Sequence, residues 1–221
     1  LKIPQRPQHK RSRGTSTNTP TQAEYVNHVW SWDFIHDRTE DGKALRILSI
    51  LDEYSRQVVC LHAKRSIPSA MVTNQLEQAM AEYGCPSYMR SDNGPEFIAN
   101  ALQDHLAERG IATCYIEPGS PWENPYVESF HGKFRDECLN RELFSSILEA
   151  RTIISDFQNQ YNSRRPHSAL NYQTPAAIFY QARGLGQLPE LSTPGSDAPT
   201  SMVTHSRSAA CHDNSRVTSK Y

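Results

Sequence analysis

The sequence predicts a mixed α/β domain: three antiparallel strands, then βα units, flanked by helices and carrying disordered tails. Two observations lead there. Short apolar segments rich in β-branched and aromatic residues crowd the region before residue 65, with only turn residues between them. From Pro68 onward such segments alternate with amphipathic stretches that carry helix start and stop marks. The resulting order, βββαβαβ followed by more helix, separates the later strands far enough for parallel crossovers.

The elements follow in order. "HVWSWDFIHD" (28–37), "ALRILSILDEY" (44–54) and "RQVVCLHAK" (56–64) read as a meander, with "DRTEDGK" and "YS" supplying the turns. "PSAMVTNQLEQAMAEYG" places apolar residues at helical spacing between Pro68 and Gly84. "PSYMRSD" returns as a strand, "PEFIANALQDHLAERG" as a helix starting at Pro95 and closed by Gly110, and "IATCYI" as a strand. After the loop "EPGSPWENP" come helices over about 125–142 and 146–163, then "RRPHSALNYQTPAAIFYQARG". Residues 1–24 are polar and aperiodic, an arm or linker; residues 25–183 form the domain; from Gly184 the Ser-, Thr- and Pro-rich chain is expected to be a disordered tail.

Composition narrows the function classes. The 221 residues, 37% of them hydrophobic, suffice for one ordinary domain with flanking pieces. No apolar run approaches the roughly 18 residues of a membrane span, and "LKIPQRPQHKRSRG" lacks a signal peptide's apolar region. A soluble, cytoplasmic protein with no membrane partner is therefore expected. Cys60, Cys85, Cys114, Cys138 and Cys211 form no C-x-x-C pair, which argues against a disulfide framework or structural zinc. Net charge is −1, without the overall basic excess of most phosphate binders. The first 13 residues nevertheless hold Lys2, Arg6, Lys10, Arg11 and Arg13 with no acid among them, a pattern that suits either an arm binding DNA phosphates or a solvated disordered terminus.

Three carboxylates stand out by position. Asp33 interrupts the apolar strand "WSWDFI", where a charge is costly unless a cation compensates it. Asp92 ends the strand "SYMRSD", and open α/β sheets usually build ligand sites at strand C-termini. The Asn93–Gly94 turn ends that strand and leaves Asp92 at its tip. Glu128 sits in the first turns of a helix, with Asn124 as N-cap and Pro125 at the first helical position. Asp92 and Glu128 are 128 − 92 = 36 positions apart, leaving 35 residues between them. Each carboxylate taken singly has a structural alternative: an edge-strand charge, a capping residue, a first-turn Glu serving the helix dipole.

Two aspartates, a 35-residue gap and a glutamate resemble the catalytic core of the DDE transposases and retroviral integrases. The resemblance runs over about residues 24–183 through "WSWDF", "LDEYSR", "GCPSYMRSDNGPEF", "ESFHGKFRDE" and "YNSRRPHSAL", the last typical of the bacterial insertion-sequence-three family's second-reading-frame product. It implies an RNase H-like sheet and a metal-dependent transposase or integrase that nicks DNA to free a 3′-OH and transfers it to another phosphodiester. It also implies two Mg2+ ions, replaceable by Mn2+, with Asp33 and Asp92 sharing one and Asp33 and Glu128 the other. The partners it implies are DNA at the element ends and the target, further copies of the chain on that DNA, and a DNA-binding segment from the upstream frame. The location would be a bacterial cytoplasm, at the nucleoid when on DNA. Pro125 departs from the small residue or glycine of many relatives, and no DNA-reading helical segment is visible in residues 1–25, so a fragment is expected.

The helix after Glu128 offers DNA contacts. Seven residues are nearly two turns, so Arg135 shares the face of Glu128, with Asn124 and His131 on the same stripe and Lys133 nearby. Val127, Phe130, Phe134 and Cys138 form a neighbouring apolar stripe that can pack on the sheet. The resemblance assigns Arg135 to substrate phosphates, while a His one turn from a carboxylate is more often a plain neighbour. Arg164 and Arg165 suit either DNA or the helix dipole, and Pro166 and His167 are expected to shape the turn. Two other activities fit the same residues: hydrolysis alone, as in an RNase H-like nuclease, and DNA binding or assembly without catalysis.

Overall fold

The computed structural model describes residues 22–92, 94, 97, 99–116 and 125–185. The expected basic arm and tail fall, apart from 22–24 and 184–185, outside these residues, and so do Asn124, Lys10, Arg11 and Arg13.

Strands β1 (Val29–Arg38), β2 (Ala44–Asp52) and β3 (Val58–Lys64) form the meander. Two further strands, β4 (Tyr88–Ser91) and β5 (Ala112–Tyr115), add to β1 in parallel, giving the order β3-β2-β1-β4-β5. The crossovers run through helices α1 (Ser69–Tyr83) and α2 (Asn100–Glu108), and α3 (Pro125–Phe134), α4 (Ile147–Ser163) and α5 (Pro175–Ala182) follow the sheet. Side chains alternate between the two faces of each strand, and both faces are covered. Trp30, Trp32, Leu48 and Ile50 face a core completed by Val72 and Leu76 of α1 and Leu102 and Leu106 of α2. Ile35, Ile47, Leu51 and Val58 face the opposite core, with Phe130 and Phe134 of α3 and Ile154 and Tyr161 of α4.

The hairpin between β2 and β3 is built by "LDEYSR". Asp52 accepts hydrogen bonds from Ser55 N–H (2.7 Å), Ser55 Oγ (2.6 Å) and Asn27 N–H (2.7 Å), an Asx-type turn that also ties down the start of the domain. Buried Glu53 meets Arg90 of β4 at 2.9 Å and accepts from Ser31 Oγ of β1, so one carboxylate joins three strands. Helix α4 starts at Ser146, whose hydroxyl caps Glu149 N–H, and α5 at Thr174, which caps Ala177 N–H ahead of Pro175.

Two boundaries differ from the sequence reading. Helix α2 begins at Asn100; Pro95, the start expected, lies outside the described residues, while Ala99 is extended and Phe97 stacks on both Trp32 and Phe34. The helix expected over 125–142 is α-helical only to Phe134, then continues as a π turn over Arg135–Leu139, with Asn140 N–H bonded to Arg135 C=O. Val127, Phe130, Phe134 and Cys138 are all buried, as their spacing indicates.

Candidate active site

Asp33 points to the α3 side of the sheet because it alternates with Trp32 and Phe34, which face the other core. Its cross-strand partner is Ser49 of β2. The Ser49 hydroxyl donates to the Asp33 backbone carbonyl (3.1 Å) and lies 2.7 Å from Nε2 of His131, one turn after Glu128 on α3. Nδ1 of that imidazole stands 3.6 Å from Asp33 Oδ2. Burial, then the positive charge of Arg135, pushes His131 down to about 4, so the ring is neutral at physiological pH and its approach to Asp33 is not an ion pair. Burial raises the Asp33 carboxyl to about 6, against the hydrogen bond from Phe34 N–H and with the help of the charges of Asp92 and Glu128.

Asp92 follows the last residue of β4 and is exposed, its Oδ1 accepting the Gly94 N–H at 2.9 Å. The parallel register pairs Ser31 with Arg90. Two residues beyond that pair along each chain segment come Asp33 and Asp92, past the end of the β1–β4 pairing. Glu128 is exposed in the first turn of α3. Among the described residues no three His, Cys, Asp or Glu side chains are already gathered at metal-binding spacing. Asp92 and Glu128 are thus each within electrostatic reach of Asp33 without the three being drawn together.

Of the remaining residues singled out in the sequence, Arg135 is exposed at the start of the π turn and Arg164 at the C-cap of α4. Arg165 is bonded to Glu137 of the π turn, a structural tie between α4 and α3. Lys133 lies away from the carboxylates, in a cleft with Arg56. Sequence reasoning missed Ser49 as the partner of His131, which stands beside Asp33 as a neighbour of the carboxylate. The available signal was Ser49 itself, a lone hydroxyl in the apolar run "ILSIL".

A family profile for the integrase core domain matches residues 23–121, and a second of the same description matches residues 109–175. The uncharacterized 31.7 kDa protein of insertion element IS407 from Burkholderia multivorans is 37% identical over 163 residues, 74% of this chain and 59% of that protein. The uncharacterized 39.2 kDa protein of insertion element IS476 from Xanthomonas euvesicatoria is 41% identical over 150 residues, 68% of this chain and 43% of that protein. The chain therefore spans about half the length of these curated relatives. Among solved structures, the HTLV-2 integrase catalytic core domain in complex with magnesium superimposes with a TM-score of 0.58 at 20% identity, over 70% of this chain and 97% of that one. That likeness speaks for the fold, an RNase H-like sheet. Over residues 23–175, this chain belongs to the integrase core domain family.

Proposed function

We propose that this chain is the catalytic core of an insertion-sequence transposase, a polynucleotidyl transferase that cuts a DNA strand at the element end and joins the freed 3′-OH to a target strand. The observation that carries the reading is Asp33, a mid-strand carboxylate raised to about 6 by burial and by the charges of Asp92 and Glu128, with the neutral imidazole of His131 3.6 Å away. A cluster of three carboxylates in which the described residues show no ion pair to Asp33, Asp92 or Glu128 other than the neutral His131 contact fits hard divalent ions, and all three side chains offer oxygen donors. Asp33 would be shared between two Mg2+ ions, or Mn2+ in their place, with Asp92 completing one site and Glu128 the other. Bound there, the ions would supply an activated oxygen nucleophile and a stabilised leaving oxygen.

The chain's own residues orient that chemistry. Ser49 holds the backbone carbonyl of Asp33, and His131, fixed by Ser49, limits where the Asp33 carboxylate can swing. Arg135, exposed on the stripe of Glu128, would meet a phosphate of the bound strand. DNA ends and target are the substrates, further copies of the chain assemble on them, and a DNA-reading segment or partner from the upstream frame selects the ends, all in a bacterial cytoplasm. Among the described residues no helix is long and apolar enough to cross a membrane.

Nicking and joining on supercoiled plasmid with Mg2+ or Mn2+ tests the proposal. Metal-dependent nicks and joined products are expected, both lost in Glu128→Gln. Asp92→Asn is expected to lose the chemistry while binding DNA as the parent does. Nicks without joining would favour a nuclease, and equal nicking by Asp92→Asn would refute the carboxylate assignment.

A further inference from the structure

Two motifs take no part in the chemistry proposed above, "LDEYSR" and "YNSRRPHSAL", and the fold brings both to α3. Arg56 from the first and Tyr161 and His167 from the second line a cleft of about 270 Å³ with Tyr126, Ser129 and Lys133 of α3. Arg56 has φ 64°, a left-handed backbone that residues other than glycine rarely adopt. The guanidinium lies over the Tyr126 ring, 3.9 Å from its centroid, a stacking that leaves its N–H edge free for an in-plane acceptor.

The cleft is cationic. Among the described residues neither Arg56 nor Lys133 makes an ion pair: Glu137, beside Lys133, is bonded by Arg165, and the charge of Arg56 acts on the buried carboxyls of Asp52 and Glu53 without pairing with them. Burial, then the charges of Arg165 and Arg56, pushes the Lys133 ammonium down, with Glu137 opposing. Burial, then Lys133 and Arg165, pushes His167 down to about 4. His167 is only 5% exposed, and its Nε2 is buried without a hydrogen-bond partner. That nitrogen is a hydrogen-bonding position beside cationic side chains, open to a water or to a ligand.

We propose that this cleft binds a backbone phosphate of DNA, with Arg56 and Lys133 as charged donors and Ser129 as a neutral one. The inference rests on DNA being the substrate. Helix geometry supplies the link: Ser129 and Lys133 lie about 100° and 140° around α3 from Glu128, and Lys133 about 7.5 Å further along the axis. A strand crossing α3 can set one phosphate at the carboxylates while a nearby one enters the cleft. His167 Nε2 then accepts from water carried in with that phosphate.

The test is the salt dependence of binding to a labelled DNA duplex, measured by fluorescence anisotropy on the full chain between about 50 and 200 mM salt. In Arg56→Asn/Lys133→Gln the slope of log K against log salt is expected to shrink by about 1–2, with affinity at low salt down roughly 5–50-fold in a chain still folded at the assay temperature. Asn is chosen because it tolerates the left-handed backbone. Each single variant is expected to show part of the change, so poor folding of one still leaves the other to decide. An unchanged slope and affinity in variants of a parent that binds DNA would overturn the cleft alone; a parent that binds no DNA would overturn the transposase reading with it. Altered self-association with an unchanged slope would give the cleft to a carboxylate of a second copy and overturn the proposal as well.

Discussion

Asp33→Asn is expected to stabilise the protein in the absence of divalent ions, although it removes a group assigned to catalysis. The folded-state pKa of Asp33 is about 6 against an ordinary value of 3.8. A raised carboxyl pKa means that folding favours the protonated form. Below the ordinary value the carboxyl is neutral in both states and costs nothing; as pH rises through the window from 3.8 to about 6 the cost of charging it in the folded state accrues, and above that window it is complete. The difference of 6 − 3.8, about 2, corresponds to a ceiling of ~3 kcal/mol at 1.36 kcal/mol per pH unit. The Asp33 side chain is 34% exposed, so solvent screening reduces this to about 1–2 kcal/mol. Asparagine keeps the shape, can still accept from Phe34 N–H and can donate to His131 Nδ1. At about 2–4 °C per kcal/mol the melting temperature in EDTA at pH 7.5 is expected to rise by roughly 2–8 °C. The gain is expected to vanish by about pH 4 and to be offset when Mg2+ stabilises the parent but not the variant. An Asn variant less stable than the parent at pH 7.5, or one whose gain is the same at both pH values, would refute the electrostatic account of the site.

Other perturbations read the scaffold. Arg90→Met strands the buried Glu53 carboxylate and is expected to cost about 3–5 kcal/mol in urea unfolding at pH 7, less as acid protonates Glu53, whose pKa burial has already raised. Phe97→Ala removes a ring 1% exposed and stacked on Trp32 and Phe34, at an expected cost of roughly 3–5 kcal/mol by the same assay. Asn162→Ala leaves Val58 N–H without its side-chain acceptor and is expected to cost about 2 kcal/mol, with faster hydrogen exchange at the Val58 amide as its local signature.

Much of the fold is legible in the sequence because its first strands state their faces. Trp30, Trp32 and Phe34 against Ser31, Asp33 and Ile35 is an alternation that only a sheet satisfies, and it fixes the side on which Asp33 emerges. The start of α2 was misplaced because Pro95 is a good first helical residue in isolation, whereas Phe97 gains more by stacking on Trp32 and Phe34 than a helical turn would return. The π turn has no sequence mark: one inserted residue changes no apolar spacing enough to see. The link of His131 to Ser49 was illegible for another reason, since the two are 82 residues apart and meet only through the β1–β2 register and the seating of α3. Local pattern predicts faces; it does not predict which distant side chain will stand opposite.

Helix α4 shows how the C-terminal motif serves a site it does not touch. Strand β3 is an edge of the sheet, and an open edge presents unpaired backbone groups to any passing strand. The side chains of α4 answer them one by one: Asn162 accepts from Val58 N–H and donates to Val58 C=O, each at 2.9 Å, Gln158 donates to the same carbonyl at 3.0 Å, and Arg151 donates to Ala63 C=O at 2.9 Å. The next residues turn from the edge to α3, Tyr161 packing edge-on against Phe130 and Arg165 bonding Glu137. One helix thus covers the sheet's edge at Val58 and Ala63 and clamps the helix that carries Glu128 and His131. The carboxylate cluster needs such a clamp because its own charges push α3 away from β1, and the apolar stripe of Phe130 and Phe134, held by α4 from behind, is what resists that push.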